Sequence, residues 1–430
     1  PTTQINRIEE FGPMRTNKVE TFHPVAGTSR PKLWSMPYAL TLVAICVVSI
    51  TMTFFMPLLP IYIEMIGGNL SLAGLVVSVY TIAALISRPF FAILIDRFGR
   101  KPILLLGLAL ILLGCFFYRL VTLIGVLLLI RVIHGIGYSA STNATGTIVA
   151  DIVPKERRAQ GIGYYGFVTA ASLALGPAAA LLIFHSTDIK TAFAIAAAIA
   201  AFGLVASGFL SYEHRPAVQP SGESGVPAPT GSTPLIPQKP RLSFGYESTA
   251  LPASLVMLFV AFAYSGIVTF LPAYAGTLGI AHISHYFIVY AVVLLGTRIF
   301  VDRITKTRHI SVLLLPGILL MAAAFVLLGL GKTLPFFLLA AVFYGVGYGA
   351  VQPTLNALVI SACPPTRRSA ANSTFFSAMD LGIGLGAMAW GLLSHAFGYP
   401  AIFFSCIVFM ALAAVAVLVL QQKARLPAAR

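Results

Sequence analysis

The chain is 430 residues long, 58% hydrophobic and only 10% charged, with a formal net charge of +15. A soluble chain carries about a quarter charged residues, so this composition excludes an ordinary soluble domain. The basic excess would suit nucleic acid, but the Lys and Arg residues cluster at the ends of apolar segments, which excludes that partner and assigns them to loops facing anionic lipid.

Residues 1–37 form a polar tail with Arg7, Arg15, Lys18, Arg30 and Lys32, and lack the apolar core of a cleavable signal peptide. Twelve apolar segments follow, at roughly 38–61, 72–95, 102–120, 123–149, 159–184, 190–211, 251–275, 284–301, 309–330, 334–361, 369–394 and 399–421. Each is about long enough to cross a bilayer, so the expected fold is an all-α polytopic membrane protein. Residues 38–211 and 251–421 are expected to form two pseudo-symmetric six-helix bundles. Residues 212–250, which include the run QPSGESGVPAPTGSTP, join them as a linker, and 422–430 form a C-terminal tail. Of 28 Lys and Arg residues, three (Arg119, Lys190, Lys332) fall on the side opposite the tails and three (Arg88, Arg131, Arg298) within spans. The remaining 22 share the side of the tails, so both termini are expected in the cytoplasm and the protein in a bacterial inner membrane.

The two halves repeat. Gly135, Gly137, Tyr138, Pro154, Arg157, Arg158 and Gly176 recur 210 positions later as Gly345, Gly347, Tyr348, Pro364, Arg367, Arg368 and Gly386. Leu59-Pro60-x-Tyr62 recurs as Leu271-Pro272-x-Tyr274, shifted by two more. Paired repeats in a polytopic protein commonly enclose a substrate path at their junction.

Residues 92–102 read Ala-Ile-Leu-Ile-Asp96-Arg97-Phe98-Gly99-Arg100-Lys101-Pro102. This resembles the signature loop of the major facilitator superfamily, G-x-L-x-D-R-x-G-R-K, with Ala in place of the leading Gly. Val301-Asp302-Arg303 resembles a degraded second copy. The resemblance implies twelve helices, alternating access, and a latch in which Asp96, with Arg97, Gly99 and Arg100, meets the N-terminus of span eleven near Arg368. A carboxylate against a helix dipole is worth roughly 0.3–2 kcal/mol.

Leu128-x-x-Arg131-x-x-His134 resembles the family's second motif, whose arginine is implied to influence proton transfer. A charge inside a span is costly and is usually functional. Arg131 and His134 are both proton-coupling candidates on this resemblance; the alternatives are an arginine that bonds helix carbonyls and a structural histidine. Gly166, Gly176 and Pro177 resemble the antiporter motif of drug–proton exporters, with Ser172 and Ala179-Ala180 replacing glycines. The family's cavity-lining spans are one, four, seven and ten. By that resemblance Phe54, Phe55, Tyr62, Tyr138, Tyr264, Phe270, Tyr274, Tyr344, Tyr348, Gln352 and Asn356 are candidate substrate contacts, or else packing residues.

Of 13 acidic residues only Glu64 and Asp380 fall near or within the bilayer on a plausible path. Asp380 is expected either to carry protons or to bond a neighbouring helix at the interface, and Glu64 to be a gate, a proton site or a rim charge. His282-x-x-His285 lacks a third ligand, so no metal is expected. No phosphate-binding loop or nucleophile elbow is present, so the chain is not expected to be an enzyme. The expected function is proton-coupled export of small amphipathic molecules by a monomer, with the proton gradient rather than a cofactor as energy source. Metallophore export is one specific case. The alternatives are a lipid or lysolipid flippase, an uptake symporter, or a membrane receptor or scaffold.

Overall fold

The computed structural model describes residues 33–211, 247–304, 313–364 and 367–425. The tail before Leu33 and most of the expected linker lie outside them. Twelve α-helices follow in order: α1 (Met36–Met65), α2 (Leu70–Phe98), α3 (Arg100–Tyr118), α4 (Ile124–Ile152), α5 (Arg158–Ser186) and α6 (Ile189–Gly208), then α7 (Leu251–Thr277), α8 (Ser284–Ile304), α9 (Leu314–Leu330), α10 (Leu334–Ser361), α11 (Arg368–Phe397) and α12 (Tyr399–Arg425). Eleven are long and apolar enough to cross a membrane, and α9 is the shorter twelfth. At 1.5 Å per residue the 17 residues of α9 rise about 26 Å. The described residues contain no strand. The chain is an all-helical polytopic membrane protein.

Several helices outrun their apolar segments. Hydrocarbon offers no hydrogen-bonding partner, so a helix persists until a cap can satisfy its open amides. Asn69 Oδ1 accepts from the Leu72 amide at 2.9 Å and starts α2 two residues early. Asp188 caps α6 by accepting from the Lys190 and Thr191 amides. The Thr191 hydroxyl, and then those amides, hold the Asp188 carboxyl below its usual range. Gly99, at φ 91°, turns the chain between α2 and α3, a conformation that a side chain disfavours.

Within the first half α1 packs on α5 and α6, and α4 on α2 and α3; within the second, α7 packs on α11 and α12, and α10 on α8 and α9. Between the halves the seams are α2–α11, α5–α8 and α1–α7. Close helix contacts fix the register of the repeat. A Cβ on Gly135 would lie 3.2 Å from the Ala83 Cβ and meet Tyr80, and one on Gly345 would lie 3.1 Å from the Val293 Cβ and 3.2 Å from the Tyr290 oxygen. Gly107 against Gly137 and Gly317 against Gly347 repeat in the same way. The offset of 210 therefore runs through α2 and α8. It sets Arg298 opposite Arg88. It also sets Asp302 opposite Ala92, so Asp302-Arg303 is not the counterpart of Asp96-Arg97, as the local letters had suggested.

Gly176 is one of the tight points inside the first half. A Cβ there would run into the Thr53 hydroxyl and lie 3.0 Å from the Thr53 Cβ. Thr53 is itself held, donating to the Ser172 carbonyl at 3.1 Å. Gly176→Val is expected to lower stability by about 1–3 kcal/mol, as overpacking does, read as a drop in the thermal midpoint of purified protein. An unchanged midpoint would show that α1 and α5 need not approach so closely.

Candidate functional site

The α2–α11 seam is built from small residues, which let two backbones touch in a membrane. Near the α1–α2 turn, a Cβ on Gly74 would lie 3.1 Å from the Gly391 Cα. One turn deeper, Ser78 donates its hydroxyl to the Gly384 carbonyl at 2.7 Å. Deeper again, Arg88 Nη2 donates to Asp380 Oδ2 in an ion pair whose side chains are 11% and 2% exposed. Asn143 Nδ2 supports the turn by donating to the Arg88 carbonyl at 3.2 Å. Asp380 Oδ1 is buried and has no hydrogen-bond partner among the described residues. Of the two roles expected of Asp380, the geometry shows the bond to a neighbouring helix, and its partner there is a charge from the other half.

Glu64 lies at the rim on the same face as the α1–α2 turn. It is exposed and accepts from the Tyr399 hydroxyl at 2.7 Å, a second bridge between the halves. The opposite face differs. Asp96 is exposed and makes no hydrogen bond or ion pair among the described residues; Pro365, Thr366 and the Ser369 side chain, at the start of α11 where the latch is expected, lie outside them. The loop instead ties its own half together. Arg100 Nε donates to Asp151 Oδ2 at 3.2 Å, Lys101 Nζ to the Gly208 carbonyl at 2.8 Å, and Arg97 sits 5.3 Å from the Phe98 ring centroid. The halves meet along α2 and α11 at one face, and at the other the signature loop bonds within its own half.

Arg131 and His134 are fully buried within the first half. Arg131 Nε donates to the Val76 carbonyl at 3.1 Å, and its guanidinium carbon lies 4.5 Å over the Tyr80 ring. Its two Nη atoms have no partner among the described residues. His134 Nδ1 lies 3.1 Å from the Tyr118 hydroxyl. Arg131 does not touch Asp380. Tyr80, under the Arg131 guanidinium, packs on Tyr138 with ring centroids 5.6 Å apart.

Most aromatic candidates are packed inside one half or the other. Phe54 and Phe55 are fully buried, and Phe55 packs on Tyr118 at 4.7 Å and on His134 and Phe193. Tyr62 donates to the Val121 carbonyl at 2.9 Å. Tyr264, Tyr344 and Tyr348 stack on one another beside Tyr290, and Phe270 is buried. Tyr274 packs on Phe337, Tyr399 and Phe403. Gln352 and Asn356 are half-buried; Gln352 Oε1 accepts from Arg298 Nη2, and Asn356 donates to Asn372 at 2.9 Å. In α5, Gly176 and Pro177 are buried, whereas a Cβ on Gly166 would meet nothing within 4 Å. Arg88, Arg298 and Tyr80 are site residues that the sequence reading passed over. The signal for both arginines was present, since each is a cation within an apolar span.

Two curated relatives and several solved structures resemble the chain. The staphylopine export protein of Staphylococcus aureus is 23% identical over 350 residues, covering 79% of this chain and 85% of that one. An uncharacterized MFS-type transporter of Burkholderia mallei is 27% identical over 409 residues, covering 90% and 95%. A bacterial homolog of the human lysosomal transporter Spinster, crystallised inward-facing and unoccupied, superposes with a TM-score of 0.74 at 19% identity, covering 93% of this chain and all of that one. The human organic anion transporter superposes at 0.63 and 18% identity, covering 89% and 99%. At these identities the structures speak for the fold. The family model of the Major Facilitator Superfamily matches residues 41–367 and 311–429, nearly all of the membrane part. With twelve helices in two repeated halves and charges buried at their seam, the chain belongs to the Major Facilitator Superfamily, and it is a transporter rather than an enzyme.

Proposed function

We propose that this transporter exports small amphipathic organic molecules by alternating access, with protons flowing the other way through Asp380. The observation that carries the reading is the buried Arg88–Asp380 pair, which joins the two halves at depth in the membrane. An ion pair out of water stands on a fine balance between desolvation and attraction. A proton on Asp380 removes the attraction, releases Arg88, and loosens the seam that holds one face shut. The cluster of basic residues on the face that carries Asp96 supports a cytoplasmic location for that face, and the closed α2–α11 seam toward the other face supports an inward-facing conformation. Glu64 and Tyr399 then form an outer bridge that must part when the outer face opens. Arg131 influences the proton site through Tyr80 rather than by contact. Export is supported by the Gly176-Pro177 motif in α5 and by the staphylopine export protein among the relatives.

The test is transport in proteoliposomes with an imposed pH gradient and a panel of amphipathic compounds, using wild type and Asp380→Asn. The expected variant binds substrate and exchanges it downhill but has lost gradient-driven flux. Driven flux at the wild-type rate in a folded Asp380→Asn would remove Asp380 as the carrier.

A further inference from the structure

We propose that Arg298 is an anion-binding residue of the transport path, so that the cargo carries an acidic head group such as a carboxylate, sulfonate or phosphate. The inference rests on the transport reading and adds the charge class of what is carried.

The argument begins with symmetry. Glycine contacts fix α2 and α8 in the same register, so Arg88 and Arg298 are one position of the repeat. Each lies on a helix at a seam between the halves: α2 packs on α11, and α8 packs on α5. Arg88 meets Asp380 across its seam. The repeat places Ala170 of α5 where Asp380 stands in α11. The second seam has kept its cation, and among the described residues no acid answers it.

The local geometry agrees. Arg298 donates Nη2 to a neutral amide oxygen, Oε1 of Gln352, on its own half. Its Nε is buried without a hydrogen-bond partner, and no carboxylate pairs with it among the described residues. A guanidinium inside a membrane span is costly, and a single amide dipole does not neutralise it. Its planar fork suits two oxygens of one acidic group. The surroundings are amphipathic: Tyr290 and Tyr348 stand within electrostatic reach of the guanidinium, and Tyr290 carries a buried hydroxyl with no partner. Such a wall takes an aromatic or aliphatic body with an acidic end.

The experiment measures binding to purified full-length protein with three probes that share one fluorophore. They are dansyl-glutamate, its neutral diamide, and the cation dansyl-cadaverine. Wild type is expected to bind the dianion about 10- to 100-fold more tightly than the diamide, the range of a charge-assisted hydrogen-bonded contact. Arg298→Gln is expected to erase that preference, and Arg298→Lys to keep part of it. Gln352→Glu keeps the arginine and supplies an internal carboxylate at the observed contact, so it should erase the preference even if Arg298→Gln folds poorly. The assignment is overturned if wild type binds the dianion no better than the diamide, or if the preference survives Gln352→Glu. Charge-selective binding without pH-driven flux would keep this assignment and remove the coupling proposed above. Driven flux without charge selectivity would do the reverse.

Discussion

Arg88→Leu is expected to cost about 3–5 kcal/mol of stability, whereas Arg88→Leu combined with Asp380→Leu costs far less, because the damage comes from leaving one buried charge alone. The pair lies at a seam where neither partner has water to fall back on: Asp380 is 2% exposed and Arg88 11%. The two single variants should also differ from each other. In Arg88→Leu the orphan is a carboxylate, and a proton can neutralise it, so the loss shrinks as the medium is acidified. In Asp380→Leu the guanidinium loses its carboxylate and does not give up its proton, so that penalty persists at every pH. Thermal unfolding of the four proteins across acid to neutral pH closes the double-mutant cycle. A coupling energy near zero would mean that the two residues are neighbours rather than partners. Equal pH dependence of the single variants would remove the idea that a proton can substitute for Arg88.

The fold was legible because lipid imposes a length rule: a span must be apolar for about 20 residues, and eleven of the described helices obey it, with α9 shorter. The ends of the helices were less legible, since capping by residues such as Asn69 and Asp188 extends a helix beyond its apolar letters. Charges inside spans marked Asp380 and Arg131 as site residues from the letters alone. Their partners were not readable, because the Arg88–Asp380 contact joins residues 292 positions apart and depends on how two halves dock. Asp302-Arg303 misled for a related reason. Two letters matched the signature, but the register of α8 is set by packing of Gly345 on Tyr290, four residues out of step with that match. The Asp96 contact is a different case, because the start of α11, where its expected partner lies, falls partly outside the described residues.

Gly74→Val is expected to abolish transport while leaving each half folded. A Cβ on Gly74 points at backbone, namely the Ala387 carbonyl and the Gly391 Cα, and a Cβ on Gly391 would lie 2.8 Å from the Leu70 carbonyl. No flexible side chain stands between α2 and α11 there, so nothing can rotate away. The added bulk has to move one helix off the other. That movement is cheap for packing inside a half, since α2 still rests on α4 and α11 on α7, but it forbids closure of the seam. A wedge costing about 3 kcal/mol shifts the balance between closed and open by roughly 150-fold. The readout is Ser78→Cys, a position fully buried in the closed seam, labelled in intact cells with an impermeant maleimide. In the otherwise wild-type protein this cysteine should react slowly, and in the Gly74→Val background at least tenfold faster. Gly391→Val should act in the same way, because the clash is mutual. Fast labelling only after permeabilisation would reverse the proposed orientation. A transport-competent Gly74→Val with Ser78→Cys still protected would show that the α2–α11 seam is not the outer gate.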